Sequence, residues 1–281
     1  MSANIPNVVF HDGRSAPQFG LGVWQIDNSL CSGVVQAAIS EGYRLIDTAA
    51  IYGNEEGVGE GIAKSGIPRE SLFVTTKLWN DHHGHDSTKA AFEESLSKLQ
   101  LDYVDMYMIH WPVPQENRFV EAWEMMINLR NEGLIKSLGV CNFNVDHLQR
   151  LLDKTGVLPV INQIELHPGF QQAELRQFHN EHNILTQAWS PLGLGTLWED
   201  PTLLEIANKH KRSIAQILLR WQIEVGNLVI TKSLKRDRLK ENKDIFSFEL
   251  SDDDLQQIAA LDNSEGRLGP DPELFKTVAE S

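Results

Sequence analysis

The sequence predicts an α/β protein: a closed (β/α)8 TIM barrel with an N-terminal hairpin at the barrel floor and an extra C-terminal helix. Three observations lead there. Short apolar, β-branched runs recur as "QFGLGVW", "YRLIDTA", "SLFVTTKL", "DYVDMYMIHW", "IKSLGVC", "PVINQIEL", "NILTQAWS" and "NLVITKS", eight candidate strands in all. Segments with helical spacing lie between them, and the runs are apolar on both faces rather than alternating. Strands of that kind belong to a parallel sheet covered by helices on each side, and eight such units in one chain suggest closure. An open doubly wound sheet is the alternative.

Each element carries its own signals. Phe92, Leu96 and Leu99, then Val120, Trp123 and Ile127, then Leu148, Leu151 and Leu152 form apolar stripes at helical spacing. Asn144 precedes one helix, Asp200 and Pro201 open another, and Ser213 opens a third that stops near Gly226. "SDDDLQQIAALD" starts with a capping box at Ser251 and Asp254, which makes it an added C-terminal helix. Ahead of the first barrel strand, "NVVFHDGRSAP" with Asp12-Gly13 as its turn predicts a hairpin. No stretch between units looks like a linker, so one domain over residues 1–281 is expected.

Composition narrows the partners. A formal net charge of −14 repels nucleic acid and anionic lipid, so any anionic ligand needs a local basic pocket. The two cysteines, Cys31 and Cys141, have no disulfide-framework spacing, and no 18-residue apolar run is present. The expectation is a cytoplasmic protein with no membrane span, in which nothing demands more than a monomer.

"RLIDTAAIYGNEEGVGEGI" poses the first functional question, because a strand running into glycines invites a dinucleotide-binding turn. That fingerprint requires G-x-G-x-x-G directly after the strand. Here Gly57, Gly59 and Gly61 are spaced G-x-G-x-G, begin ten residues after Asp47, and follow Glu55 and Glu56, which would repel a phosphate. Close packing of a helix against the barrel is the better reading of these glycines.

Polar residues at strand ends are more informative. Asp47 ends one strand, Lys77 the next and His110 the one after, while Tyr52 sits in the loop after the first of these. In a parallel barrel all four converge on the carboxyl face, where active sites form.

The motifs "GLGVW", "IDTAAIYGNEEGVG", "TTKLWN", "MIHWP", "GVCNF", "NQIELHP", "AWSPLG" and "TKSLKRDRLKEN" span almost the whole chain and resemble the aldo-keto reductases. "HWPVPQENRFVEAWEMM" and the tail "GRLGPDPELF" are most similar to the bacterial branch that includes 2,5-diketo-D-gluconate reductases. The resemblance implies hydride transfer from NADPH to a carbonyl carbon, with Tyr52 protonating the developing alkoxide. A free phenol titrates near pH ~10, so the resemblance also implies that Lys77 lowers the Tyr52 pKa while Asp47 orients Lys77. His110 is expected to hydrogen-bond the carbonyl oxygen.

Cofactor contacts follow from the same resemblance. Barrels often hold phosphate in the loops after strands seven and eight. In the first of these loops the implied contacts are Ser190, Leu192 and Gly193. The second concentrates Lys232, Lys235, Arg236 and Arg238, the local basic pocket that the net charge calls for. There Lys232, Ser233, Leu234 and Arg238 are expected around the adenosine 2′-phosphate, with Glu241 and Asn242 at the adenine, which favours NADPH/NADP+ over NADH. At the nicotinamide end Trp189 is expected to stack on the ring, with Gly22, Trp24 and Cys141 nearby and Asn142 and Gln163 bonding the carboxamide. Cys141 departs from the serine usual in the family, and a thiol is the weaker hydrogen-bond donor. It could be a redox-sensitive position, but a small structural residue is the favoured reading.

Trp24, Trp79 and Trp111 are expected to wall the substrate site as an aromatic cup together with His110. Short loops imply a shallow, open pocket for small polar aldehydes, ketones, dicarbonyls or keto-sugars. "HHGH", His82 to His85, is weak as a metal site because ligands in one loop lack separated support. Glu165 and His167 are read as barrel-end structure. The competing function is a cofactor-binding regulatory protein on the same fold with little turnover.

Overall fold

A computed structural model describes residues 5–276. The single-domain reading over 1–281 also takes in residues 1–4 and 277–281, which lie outside the described residues. Strands β1 (Asn7–Val9) and β2 (Ser15–Pro17) form an antiparallel hairpin. Eight parallel strands then close a barrel: β3 (Phe19–Gly22), β4 (Leu45–Asp47), β5 (Phe73–Leu78), β6 (Val104–Ile109), β7 (Ile135–Cys141), β8 (Ile161–Glu165), β9 (Leu185–Trp189) and β10 (Leu228–Thr231). Closure comes from β10, which pairs Ile230 with Gly20 on β3 and Val229 with Ala188 on β9. The closed barrel, not the open sheet, is therefore the architecture.

Helices α1 (Asn28–Ser40), α2 (Glu55–Ser65), α3 (His85–Leu99), α4 (Phe119–Asn131), α5 (Val145–Thr155) and α6 (Ala173–Glu181) follow the first six barrel strands. Between β9 and β10 the chain makes two, α7 (Pro201–His210) and α8 (Ile214–Glu224), and α9 (Arg236–Lys243) and α10 (Asp252–Ala259) come last. The caps stand where local chemistry puts them. Asp200 accepts from Leu203 N, Ser213 from Gln216 N and Ser251 from Asp254 N, each satisfying an amide that the first helical turn leaves unpaired. The added helix α10 is held by Asp254, a buried carboxylate bonded to both Lys209 and His210 of α7.

Two apolar cores result. The larger lies between barrel and helices, and the smaller fills the barrel bottom around Leu45, Phe73, Met106, Met108 and Ile161. The hairpin plugs that end. Phe10 meets Phe73 edge-on at 6.0 Å, and Ser137 Oγ donates to Asp12 Oδ2 at 2.7 Å. The floor is thus sealed, and chemistry is confined to the other face.

The glycines of α2 prove to be packing positions. A side chain at Gly57 or Gly61, one turn apart on the same helix face, would strike α1 at Asn28 and Cys31 or at Val35. One at Gly59 would strike the Leu99 carbonyl at the end of α3. Only glycine lets α2 sit this close to both neighbours.

Candidate active site

Asp47 is the last residue of β4, Lys77 lies one residue from the end of β5 and His110 directly follows β6. Adjacent parallel strands therefore carry all three to the carboxyl face. Tyr52 arrives by a short 3-10 turn, Ala50–Tyr52, after which Gly53 takes φ +64°, a left-handed conformation that suits glycine. The neighbouring Asn54 is fully buried and clamps this loop: its Oδ1 accepts from Thr48 Oγ1 at 2.7 Å, and its Nδ2 donates to the carbonyls of Val23 and Ile26 at 2.9 and 3.0 Å. Glu55, buried at the start of α2, accepts from Thr76 Oγ1 at 2.6 Å. Tyr52 is thereby tied to the strand bearing Lys77.

Lys77 is wholly buried. Its Nζ lies 2.5 Å from Asp47 Oδ1 and 2.8 Å from the Thr48 carbonyl, and 5.1 Å from the centre of the Tyr52 ring. Burial works against the ammonium, but Asp47 and the Tyr52 hydroxyl outweigh it and hold Lys77 above the ordinary lysine range. The His110 ring stands edge-on to Tyr52 at 5.6 Å and to Trp79 at 5.2 Å. Burial, assisted by the nearby Lys77 charge, pushes His110 well below the usual histidine range, so its imidazole is neutral.

The Tyr52 phenol corrects one expectation. Lys77 does act in the lowering direction, but desolvation is the larger effect and the phenol is pushed up to about 12. The group is thus a proton holder in this form of the site, rather than a partly ionised phenolate.

At the barrel centre the amides form a chain. Gln163 Nε2 donates to Asp47 Oδ2 at 2.9 Å and to Gln187 Oε1 at 2.7 Å. Asn142, at φ +62°, accepts from Trp189 Nε1 at 2.8 Å and donates to the His110 carbonyl at 3.0 Å. Cys141 is buried with its Sγ 3.5 Å from Met108 Sδ, and burial pushes its thiol far up. Such a thiol is a small core group, which disfavours the redox reading.

On the basic side Lys232 Nζ is exposed, bonded to Gln25 Oε1 at 3.2 Å and 5.7 Å from the Trp24 ring centre. Arg238 and Leu234 are exposed, and Ser233 shapes the turn through Lys235. Arg236, counted in the basic cluster from sequence, pairs instead with Glu41 of the loop after α1 at 2.5 Å. Glu241 accepts from Ser213 Oγ, and Asn242 is buried. Gly22 ends β3 opposite Ile230, and Gly193 takes a left-handed φ in the Ser190–Leu192 turn.

The tail adds a wall to the barrel mouth. Glu165 accepts from the amides of Leu268 and Gly269, at 2.6 and 2.8 Å, and so brings the C-terminal segment back over the carboxyl face. Glu273 then takes a hydrogen bond from Asn144 Nδ2 at 2.6 Å and pairs with His147 at 3.2 Å. This seats Phe275 on Trp111, ring centres 4.3 Å apart, and near Trp79 at 6.3 Å. Phe275 is the wall residue that sequence reasoning missed; the signal for it was the aromatic at the end of "GRLGPDPELF". Trp24 faces Lys232 and pairs with no aromatic ring among the described residues.

The remaining candidates separate. In "HHGH" His83 turns inward while His82 and His85 stay exposed, and no metal-holding group of three acids, histidines or cysteines exists among the described residues. Among those residues no helix is long and apolar enough to cross a membrane.

With a buried Lys77–Asp47 pair, a phenol and a neutral imidazole at one barrel mouth, comparison with known proteins becomes decisive. The aldo/keto reductase family model matches residues 16–263. The chain belongs to the aldo/keto reductase family. It is 50% identical over 270 residues to an aldo-keto reductase of Mycolicibacterium smegmatis, covering 96% of this chain and 98% of that protein. It is also 50% identical over 275 residues to the methylglyoxal reductase DkgA of Escherichia coli K12, covering 97% and 99%. Among solved structures, an aldo/keto reductase from Brucella melitensis is 56% identical, with a TM-score of 0.89 over 92% of this chain and all of that one. A mutant of Gox0644 in complex with NADPH is 47% identical, with a TM-score of 0.94 over 98% of this chain and all of that one. This aldo/keto reductase thus shares its barrel with relatives over nearly its full described length.

Proposed function

We propose that this aldo/keto reductase uses NADPH to reduce small polar aldehydes and ketones, above all dicarbonyls of the methylglyoxal type and keto-sugars such as 2,5-diketo-D-gluconate, to alcohols. The observation that carries the reading is the buried Lys77–Asp47 pair beside Tyr52 and a neutral His110. The DkgA relatives, named methylglyoxal reductases, support the substrate class, and the NADPH complex of Gox0644 supports the cofactor.

The residues present fit that cofactor. Asn142 retains one N–H, Gln163 retains its carbonyl oxygen, and Lys232 and Arg238 are exposed cations in a chain of net charge −14. Asn142 and Gln163 would hold the carboxamide, Trp189 the ring face, and the Lys232–Arg238 segment, with Ser233, Leu234, Glu241 and Asn242, the phosphorylated adenosine. Gly22, Trp24, Cys141, Ser190, Leu192 and Gly193 complete that wall. Bound NADPH supplies the hydride.

The chain's own residues do the rest. His110 offers an N–H to the carbonyl oxygen and turns the carbon toward the cofactor side. Tyr52 holds its proton because burial keeps it a phenol, and it gives that proton to the oxygen as negative charge develops there. The phenolate left behind lies next to the Lys77 ammonium, which Asp47 keeps charged, until solvent returns a proton. Trp79, Trp111 and Phe275 exclude water from one side.

The test follows nicotinamide absorbance with NADPH and NADH across methylglyoxal, other α-dicarbonyls, simple aldehydes and keto-sugars. Turnover with NADPH, fastest on small dicarbonyls, is expected. Stoichiometric NADPH binding with no turnover on any member of the panel would favour the regulatory reading.

A further inference from the structure

We propose that Gln187 is a positioning residue that takes the second Gln163 N–H and so leaves Gln163 to meet the nicotinamide carboxamide as an acceptor only. This rests on the NADPH reading above and goes beyond it, because Gln187 performs no step of the proposed reaction.

Polarity in this chain of amides is decided from its charged end. The Asp47 carboxylate can only accept. One oxygen takes Lys77 Nζ and the other, Oδ2, faces the Gln163 amide at 2.9 Å. Were that amide turned over, its carbonyl would stand against a carboxylate, so the Gln163 NH2 must point to Asp47. Its second hydrogen goes to Gln187 Oε1 at 2.7 Å. Gln187 lies opposite Gln163 in the parallel β8–β9 register and is almost wholly buried. Both Gln163 donors are then committed, and only its carbonyl oxygen remains to meet a ligand.

The facing amide is set in the opposite sense. Trp189 Nε1 can only donate, so Asn142 must turn its oxygen toward the indole at 2.8 Å. One Asn142 N–H is used by the His110 carbonyl and one is left over. The barrel therefore presents one acceptor and one donor, the complement of a primary carboxamide. Without the Gln187 acceptor, one Gln163 N–H would be buried and unpaired, a costly state that the amide relieves by tilting on its bond to Asp47 so that this N–H turns toward the ligand. Gln163 would then no longer be held as an acceptor.

The experiment measures dissociation constants of NADPH and of its 3-acetylpyridine analogue, whose methyl ketone lacks the carboxamide N–H, by quenching of tryptophan fluorescence without substrate. The unmodified protein should bind the analogue on the order of tenfold more weakly. In Gln187→Met, near in size but without the acceptor, NADPH should weaken and that ratio fall to about threefold or less. Gln187→Glu keeps an accepting oxygen at the same position and should retain the preference. An unchanged ratio in Gln187→Met, its loss in Gln187→Glu, or equal binding of both nucleotides by the unmodified protein would each overturn the role of Gln187. Should Gln187→Met fail to fold, Gln187→Leu, which also lacks the acceptor, takes its place under the same criteria. An unmodified protein that binds neither nucleotide removes the cofactor reading itself, and this one with it.

Discussion

Lys77 Nζ and Asp47 Oδ1 meet at 2.5 Å inside the barrel, with side-chain exposures of 0% and 1%. An ion pair this deep is weak support for stability but expensive to break, because the surviving charge is left in a low dielectric. Lys77→Met should therefore lose activity and also destabilise the fold by about 3 to 5 kcal/mol. Thermal unfolding and turnover on the same preparation check both effects; full stability with activity lost would mean that Asp47 finds another partner.

Tyr52→Phe removes the proposed proton donor without touching that pair. Turnover should fall by at least about a hundredfold while NADPH affinity is kept. Near-normal turnover would remove Tyr52 as the general acid.

The pH dependence follows from the Tyr52 phenol being pushed up to about 12. Burial favours the protonated form, so the acid needed for reduction is present at neutrality and is lost only as the pH rises toward that value. Reductive kcat should be level to about pH 9, whereas alcohol oxidation, which needs the phenolate, should climb with pH. A reductive profile already falling near neutrality would show that substrate or cofactor reverses the balance between burial and Lys77.

Phe275 and Glu273 act together. Phe275→Ala strips the apolar wall on Trp111, and KM for an aromatic aldehyde should rise roughly tenfold with kcat largely kept. Glu273→Ala frees the tail from Asn144 and His147 and should move KM the same way. The double variant should be little worse than either single one, since both act through the seating of one ring. Additive losses would separate the two residues.

Two helical glycines provide a paired stability test. A methyl at Gly59 runs into the Leu99 carbonyl, so Gly59→Ala should cost about 2 kcal/mol even though alanine is the better helix former. Gly33, on α1, has open space at its Cβ, and Gly33→Ala should stabilise by about 0.5 to 1 kcal/mol. Equal responses at both positions would contradict the packing role of the α2 glycines.

What the sequence determined by itself was local and periodic. The apolar runs became the eight barrel strands, the capping residues Asn144, Asp200, Ser213 and Ser251 began helices, and parallel closure brought Asp47, Tyr52, Lys77 and His110 to one face. These were legible because backbone amides need capping at helix starts and a parallel barrel puts every strand's carboxyl end on the same side.

Tertiary structure decided which partner each group finds. Arg236 is spent on Glu41, Phe275 folds back onto Trp111, Asp47 fixes the sense of Gln163, and burial outweighs Lys77 at the Tyr52 phenol. None of these follows from spacing, because a side chain's hydrogen-bonding sense and ionisation depend on the charge, donor or acceptor that the fold sets opposite it. Those partners lie far along the chain, as with Glu165 and the amides of Leu268 and Gly269.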